Sequence, residues 1–330
     1  MSNQLTCPKS QTIDPYQNMN LVVNSDGTLS RLFEDPLILP SSDATLSVLT
    51  KDIPINPSNN TWLRLFLPRN ATLNHNQQQK LPLILFFHAG GFIVLSAAST
   101  LFHSFLVEMA ETVQAIVASV EYRLAPEHRL PAAYDDAMEA LHCIRTSKDE
   151  WLTKYADYSN CYLMGSSAGG NIAYHVGLRA SAEVNDLEPL KIQGLILRQP
   201  FFGGTKRTDS ELKYENNHVI PLTFTDLMWE LALPIGANRD HEYANLTAGV
   251  GFDEKLDKIR ELGWRVLVSG TGEDPLVDRE KELVMLMEEK GVHVVKDFLE
   301  EGYHVVEYFE PSKAEHVISS VKAFIFSSGP

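Results

Sequence analysis

Short apolar runs recur along the chain, separated by stretches whose apolar positions fall three and four apart. Residues 83–87 are apolar throughout and 115–120 are apolar but for Ser119, the pattern of strands buried on both faces. Between them Leu101, Phe105 and Met109 recur every fourth position, which predicts a helix over 101–112. Residues 45–51 and 61–67 alternate and read as half-buried strands, and alanine-rich 132–144 reads as a helix. The rhythm then repeats. Strands are predicted at 161–164, 194–197, 265–268 and 292–299, with helices at 169–182, 279–290 and 312–326. Ile172, Ala173 and Val176 define the apolar side of the first helix, and Leu283, Leu286 and Met287 that of the second. Strand alternating with helix specifies a mostly parallel sheet covered by helices, an α/β fold.

Three segments lie outside this alternation. Near the N-terminus, Asp26-Gly27 between apolar Leu21-Val22-Val23 and Thr28-Leu29 predicts a hairpin or tight turn. Residues 74–79 form a polar, low-complexity loop. Residues 201–263 are too long for an ordinary crossover. They contain an apolar helical pattern at 223–233 with a Thr223-x-x-Asp226 capping-box signature. The expectation is one α/β domain over 1–330, with a cap built from about 1–40 and about 201–263.

Composition narrows the function classes. The 330 residues are 44% hydrophobic, ample for a sizeable core. A formal charge of −15 without any basic run disfavours nucleic acid as a partner. Three cysteines, Cys7, Cys143 and Cys161, form neither a disulfide framework nor a metal knuckle, so no metal is expected. The first fifteen residues are polar and lack the apolar core of a signal peptide, and no stretch approaches the length of a membrane span. A cytoplasmic chain with no membrane partner and no obligate protein partner is expected.

The chemistry centres on Gly165-Ser166-Ser167-Ala168-Gly169, a G-x-S-x-G sequence between a predicted strand and a predicted helix. A nucleophile on so tight a turn adopts strained backbone angles, and flanking glycines remove the side chains that would clash. Only Ser167 has glycines at the right distance on both sides, so Ser166 is set aside. Serine needs a base. On this architecture the order is serine, acid, histidine. Of His175, His218, His241, His293, His304 and His316, only His304 falls on a loop after the last strand and before the final helix. Three carboxylates follow the strand at 265–268. Glu273 is expected to face solvent and Asp278 to cap the next helix. Asp274 precedes a proline that biases it to extended backbone, and is the expected acid. Residues 83–87 end in His88-Ala89-Gly90-Gly91-Phe92. Gly90 and Gly91, with Ala168 after the nucleophile, are the expected backbone donors to an oxyanion. His88 is expected to orient that loop and take no part in the chemistry.

These residues together resemble the hormone-sensitive-lipase group of α/β-hydrolases. His88 to Phe92 looks like its HGGGF, 122–127 matches its YRLAPE, 165–170 resembles GDSAGG, and 274–278 resembles its acid motif. Asp14-Pro15-Tyr16 and 26–29 resemble the N-terminal region of the plant carboxylesterases. The resemblance runs from about 14 to 326. It implies a serine esterase acting on small to medium carboxylic esters, with no cofactor and a cap over the site. It also places Ser167, Asp274 and His304 at the family's triad positions. The sequence departs from the pattern twice, with Ala89 for a glycine and Ser166 for an aspartate. Two other activities occur on the same scaffold, gibberellin-receptor-like hormone binding and dehydratase or lyase chemistry. The receptors typically lack the triad histidine, which is present here as His304.

Overall fold

The computed structural model describes residues 14–73, 80–249 and 252–327. The polar loop at 74–79, Cys7 and the first thirteen residues of the expected cap lie outside them. Among the described residues ten strands are defined: β1 (Leu21–Val23), β2 (Leu29–Arg31), β3 (Val48–Asn56), β4 (Thr61–Pro68), β5 (Leu81–Phe87), β6 (Ile116–Glu121), β7 (Ala156–Ser166), β8 (Ile192–Arg198), β9 (Arg265–Thr271) and β10 (His293–Leu299). β1 and β2 form the expected antiparallel hairpin. The other eight make one sheet in the order β10-β9-β8-β7-β5-β6-β4-β3. Only the β3–β4 and β4–β6 pairs are antiparallel. From β6 to β10 every neighbouring pair is parallel.

Period-two alternation sends each central strand to two helical layers. Leu83, Leu85 and Phe87 of β5 enter one apolar cluster, while Ile84 and Phe86 enter the other. β7 divides in the same way, with Cys161 and Leu163 opposite Tyr162 and Met164. The first layer holds the helices Ala132–Thr146, Ala168–Ala182, Phe252–Glu261 and Val277–Glu289. The second holds Thr100–Val113 and Pro311–Phe326, packed on each other. This is an α/β/α sandwich. Its parallel strands all end on one edge, where the loops after β5, β7, β8, β9 and β10 gather.

Some boundaries differ from the sequence reading. The first alternating strand starts at Val48, because Asp43 accepts hydrogen bonds from the Thr45 backbone N–H and hydroxyl and holds 43–45 in a turn. β7 starts at Ala156, hidden in the sequence by the polar residues of a register shift before Cys161. The helix expected at 223–233 runs Leu222–Ala232 behind Pro221 and lacks the Thr223–Asp226 capping box. Asp226 pairs instead with Arg207 and Arg239. The capping box of this segment is Thr208 with Glu211, on the short helix Asp209–Lys213.

His175, on the helix Ala168–Ala182, is packed. It stacks on Tyr134 at 4.8 Å and meets Tyr174 and Tyr243 edge-on. Burial holds its pKa down to about 3, and burial likewise holds His88 at about 4. Both stay neutral in the folded chain over a range where the unfolded chain, with a histidine pKa near 6.5, takes up protons. Stability from these groups is complete above about pH 6.5 and declines as the pH falls toward about 4 and 3. His175→Phe keeps the aromatic packing and removes one proton-linked group. Its melting temperature is expected to fall less steeply than the parent's between pH 6.5 and 4. Parallel curves would refute this.

Candidate active site

β7 runs straight into the helix Ala168–Ala182, with Ser167 alone at the turn. Its φ of 55° and ψ of −120° place a non-glycine residue in strained backbone. The turn is held from outside. The Ser167 N–H donates to the Arg198 carbonyl at 2.9 Å, and the Ser167 carbonyl accepts from Phe201 N–H at 2.9 Å. The flanking glycines are required by space. A Cβ on Gly165 would press on the Gly169 carbonyl, and one on Gly169 would press on the Phe87 carbonyl.

Two loops reach Ser167 from farther along the sheet edge. His304 Nε2 lies 2.8 Å from Ser167 Oγ, and His304 Nδ1 lies 2.7 Å from Asp274 Oδ2. An ionised carboxylate only accepts, so it fixes the proton on Nδ1 and leaves Nε2 free to accept from the serine hydroxyl. Asp274 and His304 are buried, and Ser167 is 7% exposed. Asp274 Oδ1 accepts from the Leu276 backbone N–H at 2.9 Å. The rival carboxylates do not reach His304. Glu273 is exposed. Asp278 is not the helix cap, because the helix starts at Val277 behind Leu276; its carboxylate instead accepts from the Ser210 N–H at 2.8 Å.

The loop after β5 brings glycine backbone toward the same edge. Gly90 and Gly91 have φ of +125° and +59°, in the region that favours glycine. Among the described residues, their N–H groups and that of Ala168 have no hydrogen-bond partner. Ala89 is not left-handed, so the chain tolerates a Cβ there. His88 is fully buried, stacks on Tyr122 at 4.2 Å, and has its Nδ1 2.8 Å from the Ala89 carbonyl. It orients the loop from within.

Ser166 has a structural account as well. Its hydroxyl accepts from Tyr308 at 2.8 Å and donates weakly to Glu307 at 3.4 Å. Glu307 is paired with Arg198 at 3.1 Å, both side chains buried. A carboxylate thus already occupies this region, and an aspartate at 166 would set a second one against it. Nearby, Glu280 is fully buried with neither oxygen partnered, and burial raises its carboxyl well above the usual range. Burial and the nearby Asp274 both favour the protonated form of Glu280, which adds no charge beside Asp274.

A sequence profile described as alpha/beta hydrolase fold matches residues 84–307. Carboxylesterase 20 of Arabidopsis thaliana is 48% identical over 322 residues, covering 96% of this chain and 98% of the relative. The 3-O-acetylpapaveroxine carboxylesterase CXE1 of Papaver somniferum is 43% identical, covering 95% and 98%. The chain belongs to the plant carboxylesterases, within the α/β-hydrolases. It is a carboxylic ester hydrolase. Solved structures agree on the fold. A Pyrobaculum calidifontis esterase superposes with a TM-score of 0.70 at 23% identity, covering 84% of each chain. A Rhizomucor miehei esterase gives 0.71 at 24% identity, covering 86% and 84%.

In this carboxylesterase, among the described residues, the other candidate histidines make no hydrogen bond to Ser167. His316 pairs with Asp297 at 2.9 Å, His293 opens β10 in an exposed position, and His241 packs on Tyr243. His218 is exposed but packs edge-on against Tyr303, the neighbour of His304. One group was not found from the sequence: Gln199, whose side chain reaches both Asp274 and the His304 loop. Its signal was a polar Arg198-Gln199 pair ending an apolar strand. Met228, within the apolar helical pattern expected at 223–233 and on the helix Leu222–Ala232, puts its thioether in the space where a Gly91 Cβ would stand. Beside it Trp229 stacks on Phe201 at 4.5 Å and packs on Phe92 at 5.5 Å.

Proposed function

We propose that this enzyme hydrolyses small to medium carboxylic esters through an acyl-enzyme on Ser167. His304 Nε2 takes the hydroxyl proton as Oγ bonds to the ester carbonyl carbon. The carbonyl π pair moves to oxygen, and the N–H groups of Gly90, Gly91 and Ala168 receive that charge. Collapse breaks the carbon–alkoxide bond, and the imidazolium gives its proton to the leaving alcohol. Water then repeats the sequence: it loses a proton to His304, attacks the acyl carbon, and Ser167 Oγ leaves and is reprotonated. Asp274 holds the imidazole tautomer and stabilises the imidazolium. No step calls for a cofactor or a metal.

The observation that carries this reading is the continuous hydrogen-bond chain Ser167–His304–Asp274, at 2.8 and 2.7 Å. The cap is part of the proposal. Residues from about 1–40 and 201–263 would cover the site, with Met228 against Gly91 and Arg31 as the N-terminal anchor. The Arg31 guanidinium donates to the Ile93 and Ala125 carbonyls and pairs with Glu127, joining the hairpin to the oxyanion loop. The partner is a small-molecule ester. Among the described residues no helix is long and apolar enough to cross a membrane, and Cys143 and Cys161 are free thiols; we place the enzyme in the cytoplasm.

An organophosphate titration tests the reading. One equivalent is expected to abolish turnover of a chromogenic acetyl ester and to leave its adduct on the peptide carrying Ser167. Full inhibition with the adduct elsewhere, or labelling of a protein that turns over no ester, would overturn it.

A further inference from the structure

We propose that Gln199 is a positioning residue that locks the acid and the base of the triad into one geometry through a single side-chain amide. The proposal rests on the triad reading of Ser167, Asp274 and His304. Gln199 follows β8, two strands from the His304 loop and next to the strand that leads to Asp274. It is fully buried. Its Nε2 donates to Asp274 Oδ2 at 2.6 Å, the same oxygen that faces His304 Nδ1. Nε2 also lies 2.9 Å from Thr271 Oγ1 and 3.3 Å from the Tyr303 carbonyl. Its Oε1 accepts from the Val305 backbone N–H at 2.7 Å. The amide therefore holds both residues that flank His304, while its nitrogen holds the acid.

The chemistry of these partners excludes most other side chains. Val305 N–H can only donate, so the carbonyl oxygen must face it, and the NH₂ must then face Asp274. An ionised glutamate could not donate to the carboxylate. A leucine would leave the Val305 N–H and one acceptor site of Asp274 buried and unpaired. The backbone at Gln199 is itself constrained. Its φ of 42° is left-handed, and its N–H donates to the Ser269 carbonyl at 2.8 Å. Such a conformation persists only where the surroundings enforce it. The same short segment carries the Arg198 carbonyl that accepts from Ser167 N–H and the Phe201 N–H that donates to Ser167. One turn after β8 thus sets the nucleophile through its backbone, and the acid and base through one side chain.

Two consequences separate positioning from simple structural support. Displacing the imidazole by a fraction of a bond length lowers kcat and leaves ground-state ester binding intact. Removing a hydrogen bond from Asp274 also leaves more negative charge for the imidazolium, so the acid limb of the pH–rate profile moves up.

The test compares Gln199→Leu, Gln199→Glu and Ser167→Ala with the parent, using a chromogenic acetyl ester. Gln199→Leu is expected to lose on the order of 10²-fold in kcat with KM unchanged, and its acid limb to move to higher pH. Gln199→Glu retains the shape and the Val305 contact but sets a second carboxyl against Asp274. It is expected to lose kcat and to move the limb the same way, and it decides the question if the leucine variant does not fold. Parental kcat, or a lowered kcat with an unmoved acid limb, would overturn the positioning role. Ser167→Ala keeps the two readings apart. If it stays active the triad reading fails; if it is inactive while both Gln199 variants are parental, only the Gln199 proposal fails.

Discussion

Ser167→Ala is expected to reduce turnover of a chromogenic acetyl ester by about 10⁶-fold, the scale seen when a serine hydrolase loses its nucleophile. The variant should fold like the parent. The turn at 167 is held through the backbone, by bonds to Arg198 and Phe201 that do not involve the hydroxyl. Alanine has the same Cβ that Ser167 already accommodates at φ 55°. What disappears is the atom 2.8 Å from His304 Nε2. The proposed donors at Gly90, Gly91 and Ala168 would remain, so a residual rate above that in water is expected from them. Steady-state kinetics beside a thermal melt decide it. A folded variant working at the parent's rate would remove Ser167 from the reaction.

The second large effect is expected at the acid. Asp274→Asn should lower kcat by about 10⁴-fold, as loss of the carboxylate does in a serine protease. The geometry supplies the reason. Asp274 uses both oxygens as acceptors, Oδ2 from His304 and Gln199, and Oδ1 from Leu276 N–H. An asparagine has one acceptor oxygen to divide between them. If that oxygen keeps Leu276, the NH₂ turns toward His304 Nδ1 and drives the imidazole proton to Nε2. That nitrogen then cannot accept from Ser167. If the oxygen faces His304, the NH₂ opposes the Leu276 N–H, donor against donor in a dry site. The variant's kcat should rise with pH as hydroxide takes the serine proton that Nε2 no longer accepts, and a flat profile at the parental rate would contradict the assignment.

Chain order carried much of this site. Ser167, Asp274 and His304 fall on loops after the parallel strands β7, β9 and β10, which the alternating pattern places in that order. The glycines at 165 and 169 were legible for the same reason, since steric need leaves a residue signature. Asp278 was misread as a cap because a carboxylate near a helix start has two indistinguishable local roles. Its actual partner, Ser210, is 68 residues away. The Thr223–Asp226 box failed similarly, since Arg207 and Arg239 compete for Asp226 across space. For Gln199, and for the group of Ser166, Glu307, Arg198 and Tyr308, the polar residues are visible in the sequence but their partners are not. The group's members come from β7, β8 and the turn after His304, and no spacing rule links them.

The sheet order has a consequence for how activity is acquired. Ser167 and His304 are separated by 137 residues, and the edge that joins them is complete only when β8, β9 and β10 have added in turn to β7. Pairings of such long range form slowly, because chain entropy is spent before the contacts return it. During refolding from denaturant, most helical signal should therefore return before any esterase activity does. Turnover would then report the completion of the sheet edge that carries Ser167 and His304.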